Sequence, residues 1–294
     1  MSFLPDVPVL MPVSQYMAGW LDDYAERVEA RVSGVPRGAV TGLKRLDAIL
    51  GGCLMPGLHF VTGKSGTGKS AFLLQAALNC GVPVVYVTCE LSAYEMLNRL
   101  ICVTSGVTMN DIKQGKYPVD EVSELVENLT RKTPHMNFMD GSGQYLDHQR
   151  IVDACETART DHPSKRMLLI IDSFHAWSAM STGNQTEYMN LRDHVAYARQ
   201  LSSRLNSPVM MASEQNRMSK DGSGGQAAAK GYGVEYSAET LINLELPVAT
   251  GGRTVAMNVY VEKNRHGTIV PYVKDEPASY QLEYDRWTQR FKEI

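Results

Sequence analysis

Apolar residues along this chain follow two rhythms. Short runs of aliphatic and β-branched residues recur at 58–62, 84–88, 167–171, 209–213, 240–246 and 255–262. Other stretches repeat their apolar positions every three or four residues, at 70–79, 93–104, 119–131, 146–160 and 187–205. The first rhythm predicts strands and the second amphipathic helices. Their alternation predicts an α/β fold, a mostly parallel central sheet with helices on both faces. The last third is richer in strand patterns and includes a further strand at 268–273, so that side of the sheet is expected to be antiparallel.

The N-terminal segment breaks this pattern. Pro5, Pro8 and Pro12 make residues 1–13 read as an extended arm. A helix follows, with Ser14 as its expected N-cap and an apolar stripe at Met17, Leu21, Tyr24, Val28 and Val32; Gly34 and Pro36 end it. A single amphipathic helix needs a surface to cover. Two are open to it, the chain's own core or a neighbouring subunit.

Composition narrows the function classes. At 294 residues, 44% of them apolar, the chain can bury a sizeable core. A net charge of −3 gives no general attraction for polyanions, so nucleic-acid binding would need a local basic patch. No apolar run is long enough to span a bilayer, and Met1 opens no signal sequence, so no membrane partner is expected. Five scattered cysteines without a CxxC pair suggest reduced thiols in a cytoplasm, bacterial or that of the host of a phage or mobile element. The Gly/Ser/Ala-rich stretch 221–229 reads as a loop.

The strongest chemical signal is Gly63-Lys64-Ser65-Gly66-Thr67-Gly68-Lys69-Ser70, which fits GxxxxGK[ST] between a strand and a helix. Its backbone N–H groups and the helix N-terminus suit phosphate, Lys69 would reach the β- and γ-phosphates, and Ser70 would bind Mg²⁺. Asp172 ends an apolar strand, where it either orients the Mg²⁺ shell or caps a turn. Glu90 ends another, as a general base or as a favourable charge near the next helix start. The strand 209–213 leads into Glu214, Gln215 and Arg217, polar groups able to sense a γ-phosphate. Lys263 and Arg265 sit in Lys263-Asn264-Arg265-His266-Gly267, a hairpin tip presenting two cations.

In this order the motifs resemble the helicase domain of the DnaB-like replicative hexameric helicases, within the wider RecA-like group. The likeness runs over about 24–284. Thr41-Gly42-Leu43-Lys44-Arg45-Leu46-Asp47 is similar to the family's lead-in to the phosphate loop, and Cys89-Glu90-Leu91-Ser92 to its glutamate segment. Ile171-Asp172-Ser173, Ser213-Glu214-Gln215-Asn216-Arg217, Gly233-Val234-Glu235 with Ala238-Glu239, and Lys263-Asn264-Arg265 complete the set. The resemblance implies an arm and linker helix at 1–35 docking on the next subunit, and a RecA-like ATPase domain at 36–294. It implies a hexameric ring on single-stranded DNA using ATP and Mg²⁺, with a loader or primase as partner. Glu90 becomes the favoured base, and Arg265 with Lys263 the finger reaching a neighbour's ATP site. Arg217, Lys220 and Lys230, set against Asp221, form the basic loop expected to meet DNA. The chain departs at Glu214, where the family usually has Gln or His. Lys-Asn-Arg-x-Gly and Ile-Asp-Ser are also similar to the RadA group, so a RadA-like or KaiC-like regulatory ATPase is the competing reading.

Overall fold

The computed structural model describes residues 10, 12–144, 146–160, 162, 166–180, 186–214, 236–247, 252–273, 276 and 278–294. Six strands form the parallel part of one sheet: β1 (Gly57–Gly63), β2 (Val84–Thr88), β3 (Met136–Asp140), β4 (Leu168–Asp172), β5 (Pro208–Glu214) and β6 (Thr240–Glu245). Strands β7 (Thr254–Asn264), β8 (Gln281–Asp285) and β9 (Arg290–Glu293) extend it antiparallel, in the order β3-β2-β4-β5-β1-β6-β7-β8-β9. The helices are α1 (Val13–Ser33), α2 (Lys44–Ile49), α3 (Lys69–Asn79), α4 (Ala93–Ser105), α5 (Met109–Lys113), α6 (Val119–Lys132), α7 (His148–Thr160), α8 (Phe174–Ala179) and α9 (Glu187–Leu205).

Successive residues of a strand face opposite sides of the sheet, and the core divides accordingly. Val84, Tyr86, Leu168 and Ile170 join Phe72, Met96 and Leu100 on the α3–α4 side. Val85, Val87, Leu169 and Ile171 join Ile151, Trp177 and Leu201 on the α7–α9 side. Both faces of the inner strands are therefore dry, which is why they read as continuous apolar runs. The five cysteines are buried and free, and no helix among the described residues is long and apolar enough to cross a membrane.

Three details differ from the sequence reading. Helix α1 begins one residue before Ser14; its N-cap is Pro12, extended at φ −65° and ψ 149°, and among the described residues no side chain caps it. The expected strand 268–273 reduces to one bridge, Val270 with Val261, because Pro271 has no N–H to extend a ladder. The helix expected over 146–160 begins at His148.

Among the described residues, helix α1 buries none of its own against the chain. Met17, Leu21 and Tyr24 are more than half exposed, and Trp20, stacked on Tyr24 with ring centroids 5.4 Å apart, widens the stripe. Ion pairs Asp23–Arg37 and Glu26–Arg166 tether the helix by its polar side.

One buried histidine makes the fold sensitive to acid. His59 lies in β1 at 1% exposure, its Nε2 2.7 Å from the Met55 oxygen and its Nδ1 without a partner among the described residues. Burial pushes its pKa down from 6.5 to about 4, against the raising effects of the Met55 hydrogen bond and Glu239. The unfolded chain takes up this proton more readily, so stability is full above pH 6.5 and declines as pH falls toward 4. His59→Gln should flatten that decline by on the order of 3 kcal/mol. Denaturant titrations of both proteins across the window check this, and parallel pH curves would refute it.

Candidate nucleotide site

Parallel pairing brings the carboxyl ends of the inner strands to one edge. Thr88 pairs with both Asp140 and Asp172, and Gly63 with Glu214. The crevice outside such an edge is where open α/β sheets bind ligands. Gly63 through Ser70 turns there from β1 into α3. Gly68 is the N-cap, at φ 94°, and a Cβ on it would fall 2.9 Å from the Tyr284 ring. Only glycine fits both the conformation and the space. The loop is braced by Thr67 Oγ1, which donates to the Lys64 oxygen at 2.9 Å.

Lys69 Nζ donates to the Gly63 and Lys64 oxygens, each at 3.0 Å. Burial lowers its pKa, while Glu214, Asp172 and Glu90 act in the opposite direction. One ammonium thus lies within electrostatic reach of three carboxylates that sequence reasoning picks out separately.

Asp172 is 5% exposed. Burial raises its pKa; hydrogen bonds from the Tyr86 and Ser70 hydroxyls oppose that rise. Tyr86, fully buried, donates to Asp172 Oδ2 at 2.7 Å. Asp172 caps no helix, since Ser173 is the N-cap of α8. The juxtaposed Ser70 hydroxyl and Asp172 carboxylate are the hard oxygen donors that suit Mg²⁺. Among the described residues no group of three acidic, His or Cys side chains could hold a metal alone.

Glu90 stands exposed at the mouth of the crevice and accepts a short hydrogen bond from Ser173 Oγ. It is not needed at the helix start, because Ser92 and Glu95 form a complete capping box for α4. Glu214 is likewise exposed, beside the loop. Gln215, Arg217, Lys220 and Lys230 lie outside the described residues.

Lys263 and Arg265 are not at this edge. The Arg265 N–H donates to the Glu239 oxygen at 3.1 Å, and the Glu239 N–H to the Leu58 oxygen at 2.8 Å. Leu58 is at the start of β1 and Gly63 at its end. Five residue steps of strand, roughly 17 Å, separate the arginine's anchor from the phosphate loop of the same chain. Lys263 Nζ turns to the Tyr236 oxygen at 3.3 Å.

Sequence reasoning misses Tyr86 and Tyr284 as parts of the site, and has Ser173 only as the end of the Ile171-Asp172-Ser173 motif. Only the register shows which carboxylate Tyr86 and Ser173 each meet.

A family model for the DnaB-like helicase C-terminal domain matches residues 38–291. The chain belongs to the DnaB-like helicase family. Its core is that family's RecA-like ATPase domain. Similar curated proteins include the replicative DNA helicase DnaB of Geobacillus stearothermophilus, 21% identical over 64% of this chain and 41% of that protein. A probable plasmid replicative DNA helicase of Chlamydia psittaci is 21% identical over 71% of this chain and 47% of that protein. The chain thus spans less than half the length of these curated relatives. Among solved structures, an isolated ATPase domain superposes with a TM-score of 0.72 at 16% identity, covering 93% of this chain and 98% of that one. A DnaB-like replicative helicase studied with primase gives 0.74 at 16% identity, over 99% of this chain and 68% of that one. These two likenesses give the fold.

Proposed function

We propose that this chain is the motor of an ATP-driven helicase that works as a ring on single-stranded DNA and hydrolyses ATP between subunits. The observation that carries the reading is the placement of Arg265. A guanidinium anchored roughly 17 Å of strand from its own phosphate loop is placed to serve another copy's nucleotide. The bare stripe of α1 supports the same reading, since an apolar helix face this large marks a protein interface. Residues 1–35 then act as arm and linker helix and 36–294 as the ATPase domain.

In this reading Lys69 and the loop N–H groups bind the phosphates, and Ser70 and Asp172 hold Mg²⁺. When bound, the ion neutralises charge on the β- and γ-phosphate oxygens. Glu90, steered by Ser173, takes the proton of the attacking water. Glu214 or Gln215 reports the state of the γ-phosphate, and Arg217, Lys220 and Lys230 meet the DNA backbone. A loader or primase completes the machine.

One experiment tests this. Native mass and ATP turnover are measured with and without a single-stranded oligonucleotide, for the full chain and for a chain lacking residues 1–33. The full chain should form particles of about six subunits whose turnover rises with the oligonucleotide. The shortened chain should give smaller particles. Turnover indifferent to the oligonucleotide would favour the RadA-like or KaiC-like regulatory ATPase. Intact rings from the shortened chain would show that α1 is not the linker.

A further inference from the structure

Several contacts far from the phosphate loop converge on Glu239. Its Oε1 accepts from Arg265 Nη1 at 3.0 Å, and its Oε2 lies 3.2 Å from His266 Nε2. Its backbone oxygen takes the Arg265 N–H. The glutamate side chain is 18% exposed and the arginine 50%, so the acid is the seated partner and the guanidinium the reaching one. The seat is specific. The Glu239 N–H is fixed to β1 through the Leu58 oxygen. Beside it Gly57, at φ 141°, leaves room for the glutamate stem: a Cβ there would fall 2.2 Å from Glu239 Cγ.

The arginine's loop is held from its other side too. Asn264 Nδ2 donates to the Ile49 oxygen at 2.8 Å and to the Thr268 oxygen at 2.9 Å. The Thr268 N–H donates to the same Ile49 oxygen at 2.9 Å. Backbone and side chain of Arg265 are therefore both located before any phosphate is present. Glu239 engages one of the five guanidinium N–H groups, which leaves donors for a planar, two-pronged anion contact.

We propose that Glu239 is the positioning residue of the arginine finger, aiming the Arg265 guanidinium at the ATP site of the next subunit; this rests on reading Arg265 as a finger supplied in trans. A free arginine must give up rotamer freedom when it meets the phosphate, whereas one already pinned has given it up on folding. The carboxylate also keeps the cation paired in a subunit whose neighbour holds no nucleotide. Glu239 is anchored at Leu58, at the end of β1 away from its own phosphate loop, so its effect belongs in turnover and not in nucleotide affinity.

The test uses full-length chains. Glu239→Ala should lower kcat for ATP about ten- to a hundredfold, the effect of a displaced catalytic group, with KM and nucleotide affinity little changed. Glu239→Gln, which keeps the shape of the seat, should lose less. Mixing separates positioning from damage. Glu239→Ala subunits have an intact phosphate loop but offer a poorly aimed finger. Lys69→Ala subunits offer a good finger but cannot hydrolyse. Mixed rings of these two should recover turnover, whereas Glu239→Ala mixed with Arg265→Ala should not. Loss in Glu239→Ala that Lys69→Ala subunits cannot rescue would place the defect in its own site and overturn the proposal. Normal turnover in both Glu239 variants, with Arg265→Ala inactive, would overturn the proposal and leave the finger standing. Full activity of Arg265→Ala would remove the finger and the proposal with it.

Discussion

Lys69→Ala is expected to abolish ATP turnover while leaving the fold intact. Among the described residues Nζ bonds only carbonyl oxygens of the phosphate loop, those of Gly63 and Lys64. It is a half-buried cation, and burial lowers its pKa although three carboxylates stand near. The site thus keeps a partly desolvated positive charge that folding alone gains little from. Exchanging those carbonyls for phosphate oxygens gives the ammonium far better partners. Loss of one preorganised donor costs about a hundred- to a thousandfold in rate, and the loss of a full charge from this crevice should reach at least that. The melting temperature should move by less than the ~2–4 °C that 1 kcal/mol produces in a domain of this size. Steady-state turnover and a thermal melt decide the point. A variant that hydrolyses ATP at the parental rate would undo the assignment of the whole site.

Arg265→Ala should cost about a thousandfold or more, the scale of an arginine finger, with ATP still bound. This arginine cannot help its own phosphate loop, since β1 lies lengthwise between them. A crevice equipped with Lys69, Ser70, Asp172 and Glu90 would gain from a further cation for the charge that spreads over the γ-phosphate oxygens. Guanidinium is permanently charged and binds such oxygens in a planar fork. The variant should therefore assemble, bind nucleotide and turn over poorly. Lys69→Ala subunits mixed into the same ring should restore part of the rate. Turnover measured without DNA is the better readout, because sequential firing around the ring could mask recovery. An equally slow rate in the mixed ring would show that no arginine crosses between subunits.

The parallel half of the sheet was legible in the sequence because its strands are dry on both faces. Continuous runs such as Val84 to Thr88 leave no other reading. Short or partly wet elements were not legible. Strand β3 lies at the sheet edge and is only half-buried, so its pattern resembles a loop. The β8–β9 hairpin turns through Arg286-Trp287-Thr288-Gln289, which holds none of the glycine or Asn-Gly signals of a hairpin turn. It is stitched on by tertiary contacts, Gln75 Nε2 to the Phe291 oxygen and the Phe291 N–H to Gln75 Oε1. In 268–273 the residues Ile269, Val270 and Val273 favour a strand, but one missing N–H at Pro271 outweighs them.

The site divides along the same line. Lys69, Ser70, Glu90 and Asp172 announce themselves by their places after apolar runs. Their supports do not. Tyr86 looks like one more core residue until β2 and β4 are set in register, and only then does its hydroxyl meet Asp172. Ser173 appears in the sequence only as the end of a motif, and the geometry makes it both the cap of α8 and a tether for Glu90. Glu239 stood out only as part of a family segment, because its partner Arg265 is 26 residues away.

Strand β1 has ladders on both sides, with β5 along its whole length and with β6 over His59 to Thr62. In a ring its two ends would answer to two different nucleotides, its own beyond Gly63 and, through Glu239 and Arg265, a neighbour's near Gly57. A strand clamped on both flanks cannot slide without breaking its register, so it moves with its neighbours as one body. Displacement of the sheet at the phosphate loop would then be shared by the Glu239–Arg265 end without an intervening hinge.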